Sequence, residues 1–304
     1  MKAFDLQVNG YAGVDFNDDD LNAGKLGTVC AALKEDGVAG ILATVITDDI
    51  DVMCARLARL VRLREEDAEW SKMIRGIHIE GPFLNENPGF IGAHPVAQAR
   101  VAGVSTMDRL LDAAEGLTRI VTLAPERDHG FTVTKYLSEK GVCVAAGHCD
   151  PSLDELRGAI DAGLRMFTHL GNGCPMYLDR HDNIIQRVLA LREELWISLI
   201  PDGAHVPFTT LKNYVDLLGT DKVVMVTDAI AAARMGPGDY RFLGRDVKIG
   251  EDLVARAPDG SHLIGSTVTM PKIAENLSRE LGFSEEDIRK VIVENPKTVI
   301  GETI

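Results

Sequence analysis

The stretch GIHIEGPFLN, residues 76–85, decides how this chain is read. Ile77 and Ile79 alternate with His78 and Glu80, the period of a strand, and the run breaks at Gly81-Pro82. A buried strand that ends on a carboxylate needs a cation for it, because an unpaired buried charge is costly. Glu80 therefore points to a partner elsewhere in the chain.

Working outward, seven more short apolar runs share this form. The strand candidates are 4–8, 41–46, 74–80, 119–124, 142–148, 165–170, 196–201 and 222–228. Amphipathic stretches such as LNAGKLGTVCAALKEDG, DVMCARLARLVRLREE, SLDELRGAIDAG and PFTTLKNYVDLLG lie between them. Gly37, Gly141, Gly163 and Gly219 sit where helices should stop, and Asp150-Pro151-Ser152 where one should start. Eight strand–helix alternations predict an α/β fold with a parallel sheet, closed as a (β/α)8 TIM barrel; an open doubly wound sheet is the alternative.

The strand ends are polar: Gln7 and Asn9, Thr47, Glu80, Glu126, His148, His169, Asp202 with His205, and Asp228. In a barrel these ends meet at one mouth, where active sites lie. A lone strand histidine is ordinarily a hydrogen-bonded core residue. Two histidines and a glutamate ending three strands of one barrel instead suit a catalytic zinc site, which leaves a position open. Asp228 could be a further ligand, a general base or a helix cap. His94 and His205 are either loop residues or substrate contacts. Arg180 could grip a phosphate through its guanidinium or be a plain surface residue. His78 should pack one layer below Glu80. Cys149 and Cys174 lack an obvious base and read as apolar filler.

Bulk properties narrow the class. The chain has 304 residues, is 45% hydrophobic and carries a net charge of −14. That argues against nucleic acid and anionic membranes as partners, both of which want a basic face. Five cysteines without a C-x-x-C pair argue against a disulfide framework and for a cytoplasmic location. The opening MKAFDLQVNG lacks the apolar core of a signal peptide, and no run approaches roughly 18 apolar residues, so no secretion signal or membrane span is expected.

Eight motifs in order, DLQVNGYAGVDFND, GIHIEGPFLN, GAHP, AGHCD, THLGNGCP, DGAHV, VTDAI and GSTVTM, carry a resemblance. Together they resemble the N-acetylglucosamine-6-phosphate deacetylases of the amidohydrolase superfamily. The resemblance implies a metal-dependent deacetylase that releases acetate from N-acetylglucosamine 6-phosphate. It implies Glu80, His148 and His169 as metal ligands, with one divalent ion, Zn2+ before Fe2+, Co2+ or Mn2+. It implies Asp228 as the catalytic aspartate and His94 as the contact to the acetyl carbonyl. Ala93, Asn172, Gly173, His205, Leu263, Ile264 and Gly265 would bind the sugar. Arg180 would bind the phosphate, across the interface of a homodimer.

Two departures matter. Many amidohydrolases carry H-x-H on strand one for a second metal, and here the position reads Gln7-Val8-Asn9, so a single ion is expected. The family usually adds a small β-domain from residues before strand one and after the last helix; here that domain is expected to be absent, leaving one barrel over residues 1–304. Other readings are deacetylation of the galactosamine isomer or of an unphosphorylated sugar, or a non-catalytic sugar-phosphate-binding barrel.

Overall fold

The structure is a computed structural model that describes residues 2–242, 245–260 and 262–302. Eight parallel strands run in chain order: β1 (Ala3–Val8), β2 (Val38–Ile46), β3 (Ile74–Glu80), β4 (Thr118–Leu123), β5 (Cys143–Ala146), β6 (Leu164–Phe167), β7 (Trp196–Leu199) and β8 (Val223–Met225). Each is followed by a helix that packs against the sheet: α1 (Ala23–Glu35), α2 (Ile50–Glu65), α3 (Val104–Ala113), α4 (Thr132–Glu139), α5 (Leu153–Asp161), α6 (Ile184–Ala190), α7 (Phe208–Leu218) and α8 (Met270–Arg279). This is the expected (β/α)8 barrel.

The local signals explain the elements. Gly37, Gly141, Gly163 and Gly219 all have positive φ, as helix stops require. Ser152 caps α5 in a capping box with Glu155, so Pro151 lies just before the cap rather than inside the first turn.

The barrel closes between β1 and β8 by few main-chain bonds. Val8 bridges Ala229, and the N–H groups of Asn9 and Gly10 both donate to Ala229 O at 2.8 and 3.0 Å. A side chain completes the seam: Asp5 accepts from Thr227 Oγ1 at 2.5 Å and from Thr227 N at 3.2 Å. Burial pushes the Asp5 carboxyl up to about 7 against those bonds.

Five expected strands end early. The segments 119–124, 142–148, 165–170, 196–201 and 222–228 stop as strands at Leu123, Ala146, Phe167, Leu199 and Met225. His148, His169 and Asp228 lie just beyond, with φ of 52°, 37° and 49°. A left-handed residue cannot continue a strand.

Among the elements not anticipated is a second, antiparallel sheet. Between β8 and α8 the chain forms a three-stranded antiparallel sheet, β9 (Gly238–Phe242), β10 (Arg245–Ile249) and β11 (Ala255–Arg256). It packs its own small core of Phe242, Val247, Ile249 and Ala255 against Ile230, Ala232 and Ile264. All five cysteines are free thiols, and no helix among the described residues is long and apolar enough to cross a membrane.

Candidate metal centre

Glu80 closes β3 and is 3% exposed. Its Oε1 lies 3.1 Å from His169 Nε2 and 3.4 Å from His148 Nε2. Among the described residues these three form one group whose donor atoms all lie within 4.8 Å of one another. Burial would raise the Glu80 carboxyl, but its hydrogen bonds to the two histidines outweigh that and hold it well below the usual range. The group is thus an anion ready to act as a ligand. His169 is raised despite its burial because it bonds to Glu80.

The donor set fits a divalent ion. His148 Nδ1 is 2.7 Å from the Phe90 carbonyl, which can only accept, so Nδ1 carries the hydrogen. A ring that serves as a ligand then offers its lone pair from Nε2, the nitrogen that faces the cluster.

Two glycines wall the His148 ring. A Cβ on Gly92 would come 2.9 Å from His148 Cε1, and one on Gly173 would come 2.9 Å from Nδ1 and 3.1 Å from Cγ. Gly173 also sits at φ 62°, which disfavours any side chain. Gly173→Ala is expected to displace the ring and weaken metal binding about tenfold or more. Unchanged metal content after dialysis against a weak chelator would reject this packing argument.

The amides at the H-x-H position have found other work. Gln7 Nε2 donates to Glu80 Oε1 at 3.1 Å, and Asn9 Nδ2 donates to Asp228 Oδ1 at 2.7 Å. Each amide steadies one carboxylate of the site. Burial and the charge of Glu80 push the Asp228 carboxyl up to about 6, against the pull of His169, His205 and Asn9. Asp228 therefore shares the field of the metal cluster.

The remaining expected residues separate into groups. His94 is buried beside the cluster, with Nε2 3.9 Å from Glu80 Oε2 and Nδ1 3.0 Å from Thr47 Oγ1. His205 is held by Asp202, Nδ1 to Oδ2 at 2.6 Å. Asn172 caps the turn after His169, with its N–H and Nδ2 both donating to His169 O. Ala93 is half-buried next to His94. Leu263 pairs with Arg256, and Gly265 lies so close to Ile230 that a Cβ would meet its Cγ2 at 2.2 Å. The Ile264 side chain is buried in the small sheet's core, so only its backbone is left to face a ligand. Arg180 is exposed, on the loop that also bears the fully exposed Met176 and Tyr177, and stays outside the cluster.

His78 packs one layer below Glu80. Its ring bonds Leu6 O at 3.1 Å and Thr122 Oγ1 at 2.8 Å, and Thr122 in turn meets Thr168. Burial pushes His78 down to about 4, so it is neutral and structural. Thr47 and Ser198 hold the site without having been assigned a role. Thr47 Oγ1 donates to Glu80 O at 3.2 Å, and Ser198 Oγ accepts from His169 N at 2.7 Å. Thr47 carried a signal as a polar strand end; Ser198 lies mid-strand and carried none.

No protein-family model matches the chain. Over 299 residues it is 30% identical to the N-acetylglucosamine-6-phosphate deacetylase of Bacillus subtilis (strain 168), covering 98% of this chain and 74% of that protein. Over 297 residues it is 27% identical to the N-acetylgalactosamine-6-phosphate deacetylase of Escherichia coli O157:H7, covering 98% and 76%. Among solved structures, a mutant N-acetyl-D-glucosamine-6-phosphate deacetylase from Mycobacterium smegmatis in complex with N-acetyl-D-glucosamine-6-phosphate aligns with a TM-score of 0.87 at 28% identity, covering 99% of this chain and 77% of that one. Sequence, barrel and buried donor set agree: the chain belongs to the family of amino-sugar-6-phosphate deacetylases.

Proposed function

We propose that the protein hydrolyses the acetamide of N-acetylglucosamine 6-phosphate to glucosamine 6-phosphate and acetate. The observation that carries this reading is a buried two-imidazole, one-carboxylate donor set sharing its field with a second buried carboxylate, Asp228, at the barrel mouth. Glu80, His148 and His169 would hold a single divalent ion, Zn2+ first, with Fe2+, Co2+ or Mn2+ suiting the same donors. When bound, the ion supplies Lewis acidity, which polarises a carbonyl and brings the pKa of a water toward neutrality.

The chain's own residues do the rest in this reading. Asn9 holds Asp228 Oδ1 and leaves Oδ2 to take a proton from the attacking water. A carboxyl near 6 is mostly ionised at neutral pH, yet basic enough to pass that proton on to the leaving amine. His94 Nε2 would donate to the acetyl oxygen as negative charge builds there. Thr47 Oγ1 donates its one hydrogen to Glu80 O, and for this role it would turn that hydrogen to His94 Nδ1, 3.0 Å away. Turned toward His94, it sets the tautomer that places a hydrogen on Nε2. His205, held by Asp202, and the Ala93, Asn172–Gly173 and Leu263–Gly265 segments would orient the sugar. Arg180 would grip the phosphate of a substrate bound to the other copy of a homodimer, since in one chain it stays at the surface.

The E. coli relative, named for the galactosamine isomer, is nearly as similar as the B. subtilis one, and favours that isomer as a second reading. The test is acetate release by metal-assayed protein from both phosphorylated isomers and from unphosphorylated N-acetylglucosamine. Preference for the glucosamine isomer, with about one ion per chain, is the expected result. Preference for the galactosamine isomer would move the assignment to it. No release from any of the three by metal-loaded protein would overturn the proposal.

A further inference from the structure

His148 adopts a left-handed backbone, φ 52°, that histidine takes up under constraint. Such strain persists only where the surroundings over-determine it. The groups that fix the peptides around His148 come from neighbouring strand ends. Gly147 N–H donates to Leu123 O at 3.2 Å, and Asn85 N–H donates to His148 O at 3.0 Å. Asp150 N–H donates to Glu126 Oε1 at 2.6 Å, and the same oxygen accepts from Asn85 Nδ2 at 2.9 Å. On the far side Arg187 reaches Asp150 Oδ1 and Pro151 O, each at 2.9 Å.

One carboxylate oxygen, just past β4, thus joins two segments that carry metal-site ligands. Asn85 lies five residues beyond Glu80, and Asp150 two residues beyond His148. We propose that Glu126 is a positioning residue for the metal centre. Through the Asp150 N–H and the Asn85 side chain it holds His148 in its left-handed turn, at the distance that Glu80 and His169 require. Glu126 itself is not one of the three clustered donors. Without its oxygen, residues 148–150 relax toward an ordinary backbone, and the imidazole leaves the position it must occupy to bind.

The inference rests on the metal-site reading but not on which sugar is the substrate. Its test is Zn2+ affinity, measured by competition with a chromogenic chelator, for the wild type, Glu126→Ala, Glu126→Gln and Asn85→Ala. Melting of the metal-free forms is measured alongside. Glu126→Ala is expected to bind Zn2+ about tenfold or more weakly. Glu126→Gln keeps an acceptor oxygen and should stay within about threefold of the wild type. Asn85→Ala, which leaves Glu126 in place but unsteadied, should fall between them.

A purely structural role would lower melting temperature while leaving affinity alone. Affinity of folded Glu126→Ala within about twofold of the wild type overturns the proposal. So does Glu126→Gln binding as weakly as Glu126→Ala, since charge rather than the acceptor would then matter. If Glu126→Ala does not fold, unchanged affinity in Asn85→Ala is decisive against it. A wild type that binds no Zn2+ rejects the metal-site reading itself.

Discussion

Asp228→Asn is expected to keep about one metal ion per chain and to lose about a thousandfold in turnover. Asparagine retains an oxygen that accepts from Asn9 Nδ2, so the local geometry survives. What it lacks is basicity: an amide can neither take the proton of the attacking water nor return it to the amine. Metal content and acetate release measured on one preparation separate the two effects. A variant that keeps a tenth or more of normal turnover would falsify the acid–base role. The same assignment sets the pH dependence of the wild type. The carboxylate must be ionised to act, so the rate falls as pH drops through its pKa. Burial and Glu80 raise that pKa to about 6, and a bound cation opposes both, so the acid limb should lie at or below about 6. A limb above about 7 would assign the titration to another group.

His169→Ala attacks the donor set itself and has the second large effect. Zinc sites are worth about 10–16 kcal/mol in peptide systems, so losing one of three protein ligands costs roughly 3 kcal/mol or more, about a hundredfold in affinity. The variant also leaves Glu80 buried with one imidazole fewer, which destabilises the carboxylate the ion would bind. Zn2+ competition titration is the direct readout. Full metal occupancy at wild-type affinity would reject Glu80, His148 and His169 as the ligand set. Gly173→Ala reaches the same centre through packing, and its smaller effect should appear in metal retention before it appears in melting temperature.

The sequence by itself determined the barrel and most of its mouth. Strand and helix periods are local, and side chains that alternate in and out or recur every turn report them directly. The polar strand ends then name Glu80, His148, His169 and Asp228 as neighbours, because a closed barrel brings all its strand ends to one face. What only the tertiary structure decided is how those residues are held. Three of the four sit in left-handed turns that no strand pattern announces, and their constraints come from distant positions: Asn9 on Asp228, Ser198 on His169, and Asn85 with Glu126 around His148. The β9–β11 sheet was likewise illegible, since its strands are short and half-exposed and its core is completed by Ile230, Ala232 and Ile264 from outside the sheet. Periodicity records what a residue does relative to its own neighbours in the chain. A clamp or a shared core depends on separations fixed only when the barrel closes.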